Sequence, residues 1–157
     1  MKAPPGIWLA VLVTLVTAGC GGKAEDGAAG TSNGGGGSSM SRLDAGPRAG
    51  EAAVEEAQAK LGEGLFQTKG CSACHGFGRR ISCPDLQGVS MRRTASWMEN
   101  QILHPEKMTK EDPIARQLFA QFSLQMPNQG LTPEEARNVI EFLKHKDHES
   151  AEARKPS

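Results

Sequence analysis

The chain has 157 residues, balances 18 Lys+Arg against 18 Asp+Glu, and contains five Phe, two Trp and no Tyr. Single domains commonly run to about 100–150 residues, so this length allows one small domain with appendages and excludes two separate cores. Zero net charge excludes the bulk basicity that draws a protein onto nucleic acid, and leaves electrostatic recognition to local patches.

Lys2 precedes an apolar run from Ile7 to Val16, followed by small residues and Cys20. A run of this length suits the hydrophobic stretch of an export signal, whereas spanning a bilayer takes about 20 residues. Val16-Thr17-Ala18-Gly19-Cys20 resembles a bacterial lipoprotein cleavage box, in which the cysteine becomes the first mature residue and carries lipid; Thr17 stands where that box usually has Leu. Residues 1–20 are therefore expected to be a signal peptide cleaved before a lipidated Cys20, which places the protein on the periplasmic side of a bacterial membrane. The alternatives are an ordinary signal peptide, which leaves a soluble periplasmic protein, and an uncleaved anchor.

Residues 21–50 are dominated by Gly, Ser and Ala, with Gly34-Gly35-Gly36-Gly37 in the middle, and show no apolar periodicity. That composition predicts a flexible linker with a reach of roughly 30 Å. Residues 51–146 then read as the folded domain and 147–157 as a polar tail. Glu51 to Lys69 predicts a helix with Val54, Ala57, Leu61 and Leu65 on one face and Glu51, Glu55 and Glu56 near its start. Ser96-Trp97-Met98-Glu99 has a capping-box pattern, and Pro105 closes the short helix it opens, at about Trp97 to Leu103. A further helix is expected from Asp112-Pro113, burying Ile114, Leu118 and Phe119. The clearest follows Thr132-Pro133, where Glu135 completes a capping box and Ala136, Val139, Ile140 and Leu143 form one stripe. Lys144, His145 and Lys146 suit the end of that helix. No stretch alternates like a strand, so the predicted class is all-α, with four to five helices.

Between the first two helices stands Cys71-Ser72-Ala73-Cys74-His75, a C-x-x-C-H, the attachment sequence for haem c. Two thiols three residues apart can each add to a vinyl group on one porphyrin edge, and His75 then supplies an imidazole nitrogen to the iron. A thioredoxin dithiol needs a βαβ setting that is absent here. A zinc site needs two more ligands, for which only Cys83 with His104 or another distant His is on offer. The scarcity of aromatics is consistent with a core completed by a large apolar cofactor. Met126, in Met126-Pro127, sits between two predicted helices and is expected as the second axial ligand, a soft thioether that favours Fe(II). Its competitors are Met91, Met98 and Met108. Of these, Met98 falls at a helical position matched by Ile102, and the other two have no framing elements.

Gly62-Glu63-Gly64-Leu65-Phe66, Gly70 through Gly76, Pro84-Asp85-Leu86-Gln87-Gly88-Val89 and Met126-Pro127-Asn128 followed by Leu131-Thr132-Pro133-Glu134-Glu135 together resemble a class I cytochrome c, over about Gly50 to His145. The resemblance implies a fold whose first and last helices cross at a small residue and an aromatic, here Gly62 and Phe66 against Val139, Ile140 and Leu143. It implies that the Pro84 carbonyl accepts a hydrogen bond from the far nitrogen of His75. It also places Arg92 to Trp97 where the family turns over the haem propionates, so that Arg93 and the Trp97 indole are candidate donors to those carboxylates, the alternative being a solvated Arg beside a core Trp. Arg79 and Arg80, with Lys69 and Lys107, are candidates for a basic rim that steers an acidic partner. The family usually has Gly before that Pro; here Cys83 stands there, expected as a small buried hydrophobe without a disulfide partner.

The expected function is single-electron transport between a redox donor and a terminal oxidase or reductase, not catalysis, through one covalent haem c. One alternative is a haem sensor or small enzyme with a displaceable Met ligand. Another is a fixed subunit of a terminal oxidase or reductase, since Arg93-Thr94-x-x-Trp97 through Met-Pro-Asn also resembles modules associated with oxidases and nitrous oxide reductase.

Overall fold

The computed structural model describes residues 41–155. The expected signal peptide, Cys20 and residues 21–40 of the expected linker lie outside them. Among the described residues there is no strand, and six α-helices form: α1 Glu56–Thr68, α2 Val89–Arg92, α3 Ala95–Leu103, α4 Pro105–Glu111, α5 Pro113–Phe122 and α6 Pro133–Glu152. Short 3-10 turns cover Arg42–Asp44, Ala49–Glu51 and Cys71–Ala73. The all-α expectation holds, with more helices than the four to five expected. Pro105 is one cause: its ring ends α3 at His104, but its fixed φ suits a first helical position, so a new helix starts where the old one stops.

The most extensive helix packing joins α1 to α6. Gly62 is buried at that contact, its Cα facing the backbone of Asn138 and Val139. This close approach fixes which face of α1 turns inward. Ala59, Gly62 and Phe66 are buried, whereas Leu61 of the expected stripe is 62% exposed and Ala57 is exposed. Phe66 meets Phe142 with ring centroids 5.3 Å apart, and Phe77 joins both at 5.6 and 5.8 Å. The predicted stripe of α6, Ala136, Val139, Ile140 and Leu143, is buried as expected.

Several boundaries differ from the sequence expectation, each through a contact distant in sequence. Helix α1 starts at Glu56 rather than Glu51, because side chains of α6 hold the preceding chain extended: Lys144 Nζ donates to the Ala53 carbonyl at 2.6 Å and Glu141 accepts the Glu55 amide at 2.9 Å. Helix α3 is capped by Thr94, whose hydroxyl accepts the Trp97 amide at 3.1 Å, and Ser96 lies inside its first turn. Helix α6 runs past 146 to Glu152, taking up most of the expected tail. Its buried Asp147 accepts the amides of Gly88 and Ser90 and the Ser90 hydroxyl, capping α2 from across the fold. Residues 41–50, assigned from composition to the linker, are packed on the domain, with Ser41, Ala49 and Gly50 buried.

Candidate functional site

Gly70, with φ 77°, ends α1 in a left-handed conformation, and the chain turns at once into Cys71–Ala73. The His75 amide donates to the Cys71 carbonyl at 3.0 Å, which brings the second cysteine and the histidine round on one turn. The loop that follows is clamped by two backbone bonds, Cys83 amide to Cys74 carbonyl at 3.1 Å and Leu86 amide to Gly76 carbonyl at 3.0 Å. That clamp sets the Pro84 carbonyl 2.9 Å from His75 Nδ1, as the resemblance implied. With Nδ1 tied as the donor, Nε2 is the nitrogen left to bind a metal. Burial pushes the His75 pKa below its usual value and so favours the neutral, ligating imidazole, with the Pro84 bond opposing part of that shift. Burial likewise pushes the Cys71 thiol up.

His75 and Cys71 line a cleft with about 1080 Å³ of empty space, part of it open to solvent. Its walls are mostly apolar, with Phe66, Leu86, Val89, Leu118, Val139 and Leu143 among them. Met126 lines the same cleft from the loop between α5 and α6. That loop is fixed at both ends: Ser123 closes α5 in a left-handed conformation with φ 53°, and Asn128 Nδ2 donates to the Leu103 carbonyl at 2.9 Å. Of the competing methionines, Met98 lines the cleft from α3 but is buried in the core, Met108 is buried on α4, and Met91 is 52% exposed. Gln101, which the sequence reading missed, directs Nε2 toward Met126 Sδ at 3.9 Å, and its buried Oε1 has no partner among the described residues. Its helical position gives no sign of this role, since the Met arrives from a distant loop.

The two expected carboxylate donors fare differently. Arg93 lines the cleft with its guanidinium 5.2 Å from the Trp97 ring centroid. The Trp97 ring lines the cleft too, but its N–H is spent elsewhere, donating to buried Asp112 at 3.0 Å. The indole is thus anchored to the cap of α5, since Asp112 also accepts the amides of Ile114 and Ala115, and it is not a free donor to a carboxylate in the cleft. Arg92 lines the cleft as well and braces its floor, donating to the carbonyls of Gln87 at 2.6 Å and Asp85 at 3.3 Å. Of the expected basic rim, Arg80 stacks over Phe122 at 4.4 Å and Lys107 pairs with Glu111 at 3.9 Å on α4, away from the cleft lining. Cys83 is buried next to Cys74, as a small hydrophobe would be, and burial raises its thiol pKa.

The residues present fit a haem. The Cys71 thiol, an imidazole with one nitrogen already tied, a soft thioether and Gln101, whose amide oxygen is unpartnered among the described residues, line one apolar cleft, and Cys74 follows Cys71 on the same turn, beside Cys83. Among the described residues no group of three or more His, Cys, Asp and Glu gathers as a zinc site would require. A C-x-x-C-H turn on a helical shell around such a cleft defines a c-type cytochrome. The chain belongs to the cytochrome c family, whose model matches residues 59–147, and it carries one covalently bound haem c. It is similar to a cytochrome c from Rhodothermus marinus at 32% identity, covering 62% of this chain and 83% of that one, with a TM-score of 0.60. An engineered form of the Rhodothermus marinus protein matches at 31% identity, 61% and 83% coverage and a TM-score of 0.58. The same engineered protein bound to a carbene intermediate matches at 31% identity, 61% and 82% coverage and a TM-score of 0.56. No curated protein matches the chain.

Proposed function

We propose that this cytochrome c, a haem-based electron carrier by its family, shuttles single electrons between an upstream respiratory donor and a terminal oxidase or reductase, with His75 and Met126 as axial ligands and a lipid anchor on Cys20 at the periplasmic face of the membrane. The observation that carries the reading is the meeting of Cys71, His75 and Met126 in one apolar cleft. When bound, the haem supplies a one-electron Fe(II)/Fe(III) couple. The chain's own residues set its terms. Pro84 orients His75 and makes its free nitrogen a stronger donor. Met126 favours the reduced state, and the apolar walls disfavour the more highly charged oxidised one. Arg93, with Nη2 and Nε unengaged among the described residues, would hold the haem carboxylates. With His75 and Met126 both holding the iron, the site would pass electrons without binding substrate.

Redox titration with visible spectra on the purified protein tests this. Met126→Ala should keep covalent haem, lose the low-spin Met/His spectrum and lower the potential. A potential and spectrum matching wild type, with Met98→Ala or Met108→Ala altering both, refutes the ligand assignment. Rapid carbon monoxide binding by the reduced wild-type protein favours the sensor or enzyme reading. Co-purification from detergent-solubilised membranes identifies the partners.

A further inference from the structure

Residues 41–52 form a strap across the junction of α2 and α3. The Leu43 carbonyl accepts the Thr94 hydroxyl at 2.6 Å, Asp44 Oδ1 accepts the Thr94 amide at 2.8 Å, and the Ala49 amide donates to the Arg93 carbonyl at 3.0 Å. Arg48 Nη1 bridges the Arg92 carbonyl at 2.9 Å and Asp44 at 3.1 Å. The other oxygen of Asp44 lies 3.2 Å from Arg93 Nη1. The Asp44 side chain is only 9% exposed, so its pair with Arg93 is less screened than one on open surface. Of the five N–H donors that a guanidinium offers, the described residues engage only those on Nη1 of Arg93. The group is held at one end and free at the other, against the Trp97 ring.

We propose that Asp44 is a positioning residue of the haem site: delivered by the strap, its carboxylate fixes the Arg93 guanidinium at the cleft and offsets part of its charge. The inference rests on the reading that Arg93 faces the haem carboxylates. A cation beside the haem favours the reduced state, which carries one fewer positive charge on iron; an anion in contact with that cation returns part of the effect. Asp44 thereby holds the potential below the value that an uncompensated Arg93 sets.

The test is potentiometric titration of the holoprotein, read from its visible spectrum, for Asp44→Asn, Arg93→Gln and the double variant, with thermal unfolding alongside. Asparagine still offers the Thr94 amide an oxygen, so the cap survives and the charge goes. Asp44→Asn should raise the potential, Arg93→Gln should lower it, and the double variant should match Arg93→Gln alone. An unchanged potential in Asp44→Asn, with Arg93→Gln lowered, overturns the role of the strap while leaving Arg93 in place. No response to Arg93→Gln overturns the Arg93 reading itself. A rise of equal size in the Arg93→Gln background shows a direct field of Asp44 and overturns positioning through Arg93. Should Asp44→Asn fail to fold, Arg48→Gln leaves Arg93 as the ion-pair partner of the carboxylate; it should lower the potential more while Arg93 is present than with Arg93→Gln, and an equal fall in both backgrounds overturns the proposal.

Discussion

Gly62→Ala tests the packing that holds the haem cleft together. A Cβ at Gly62 lands on the Asn138 carbonyl oxygen, 2.5 Å from its carbonyl carbon and 2.9 Å from the Val139 nitrogen. These are backbone atoms of α6 and cannot rotate aside. Ordinary contact begins at 3.4 Å, so the helices must part by about 1.5 Å, loosening Phe66 from Phe142 and from the buried stripe of α6. Overpacking of this kind costs about 1–3 kcal/mol, and a rigid partner puts it near the upper end. Alanine recovers about 0.9 kcal/mol of helix propensity, leaving a net loss of about 2 kcal/mol. For a domain of this size that lowers Tm by roughly 6–12 °C. Gly64, two residues on in the same helix, has nothing within 4 Å of its Cβ, so Gly64→Ala should gain about 0.5–1 kcal/mol. Urea unfolding of both holoproteins, followed by circular dichroism, gives the comparison. A Gly62→Ala protein as stable as Gly64→Ala would refute the claim that α1 and α6 meet backbone to backbone.

Asp112 should make the fold acid-labile. Burial alone would raise its carboxyl, but the neighbouring Ser41 hydroxyl, the amides of Ala115 and Ile114 and the Trp97 indole together hold it below its usual range. The unfolded chain therefore takes up the proton first. The stability this group contributes is complete above about pH 4 and is lost as pH falls through the folded pKa. Urea midpoints should drop between pH 5 and pH 3 in wild type and drop less in Asp112→Asn; equal slopes would refute the assignment. Asp112→Ala, which strips the cap of α5 and orphans the Trp97 N–H, should cost about 2–4 kcal/mol in urea unfolding at neutral pH. Cys20→Ala should release a haem-loaded protein from membranes in fractionation, whereas continued integral association would point to an uncleaved anchor. Because the strap begins at Ser41, the segment to vary in testing the expected linker is residues 21–40. An equal-length Gly/Ser replacement should keep electron flux at matched haem content, and cutting it to about eight residues, with a reach of roughly 16 Å, should reduce flux.

The sequence alone determined the chemistry and the class. C-x-x-C-H is legible because the attachment reaction itself demands contiguous residues, and the cap at Thr132-Pro133-x-Glu135 is legible because capping is satisfied within one turn. The all-α class followed from periodicity for the same reason: helical hydrogen bonds are local. The tertiary structure decided everything that depends on groups far apart in the chain. Val54, Ala57, Leu61 and Leu65 share one spacing, but the close approach of Gly62 to Asn138 turned a different face of α1 inward. Trp97 offers a donor whose partner, Asp112, had no sequence signal beyond its cap. Residues 41–50 have a linker's composition, and their backbone, the Asp44 carboxylate and the Arg48 guanidinium nonetheless find partners on Arg92, Arg93 and Thr94. Composition reports how much apolar surface a segment can bury, whereas this strap is held by hydrogen bonds whose donors and acceptors lie some 50 residues away, and only the folded chain brings them within reach.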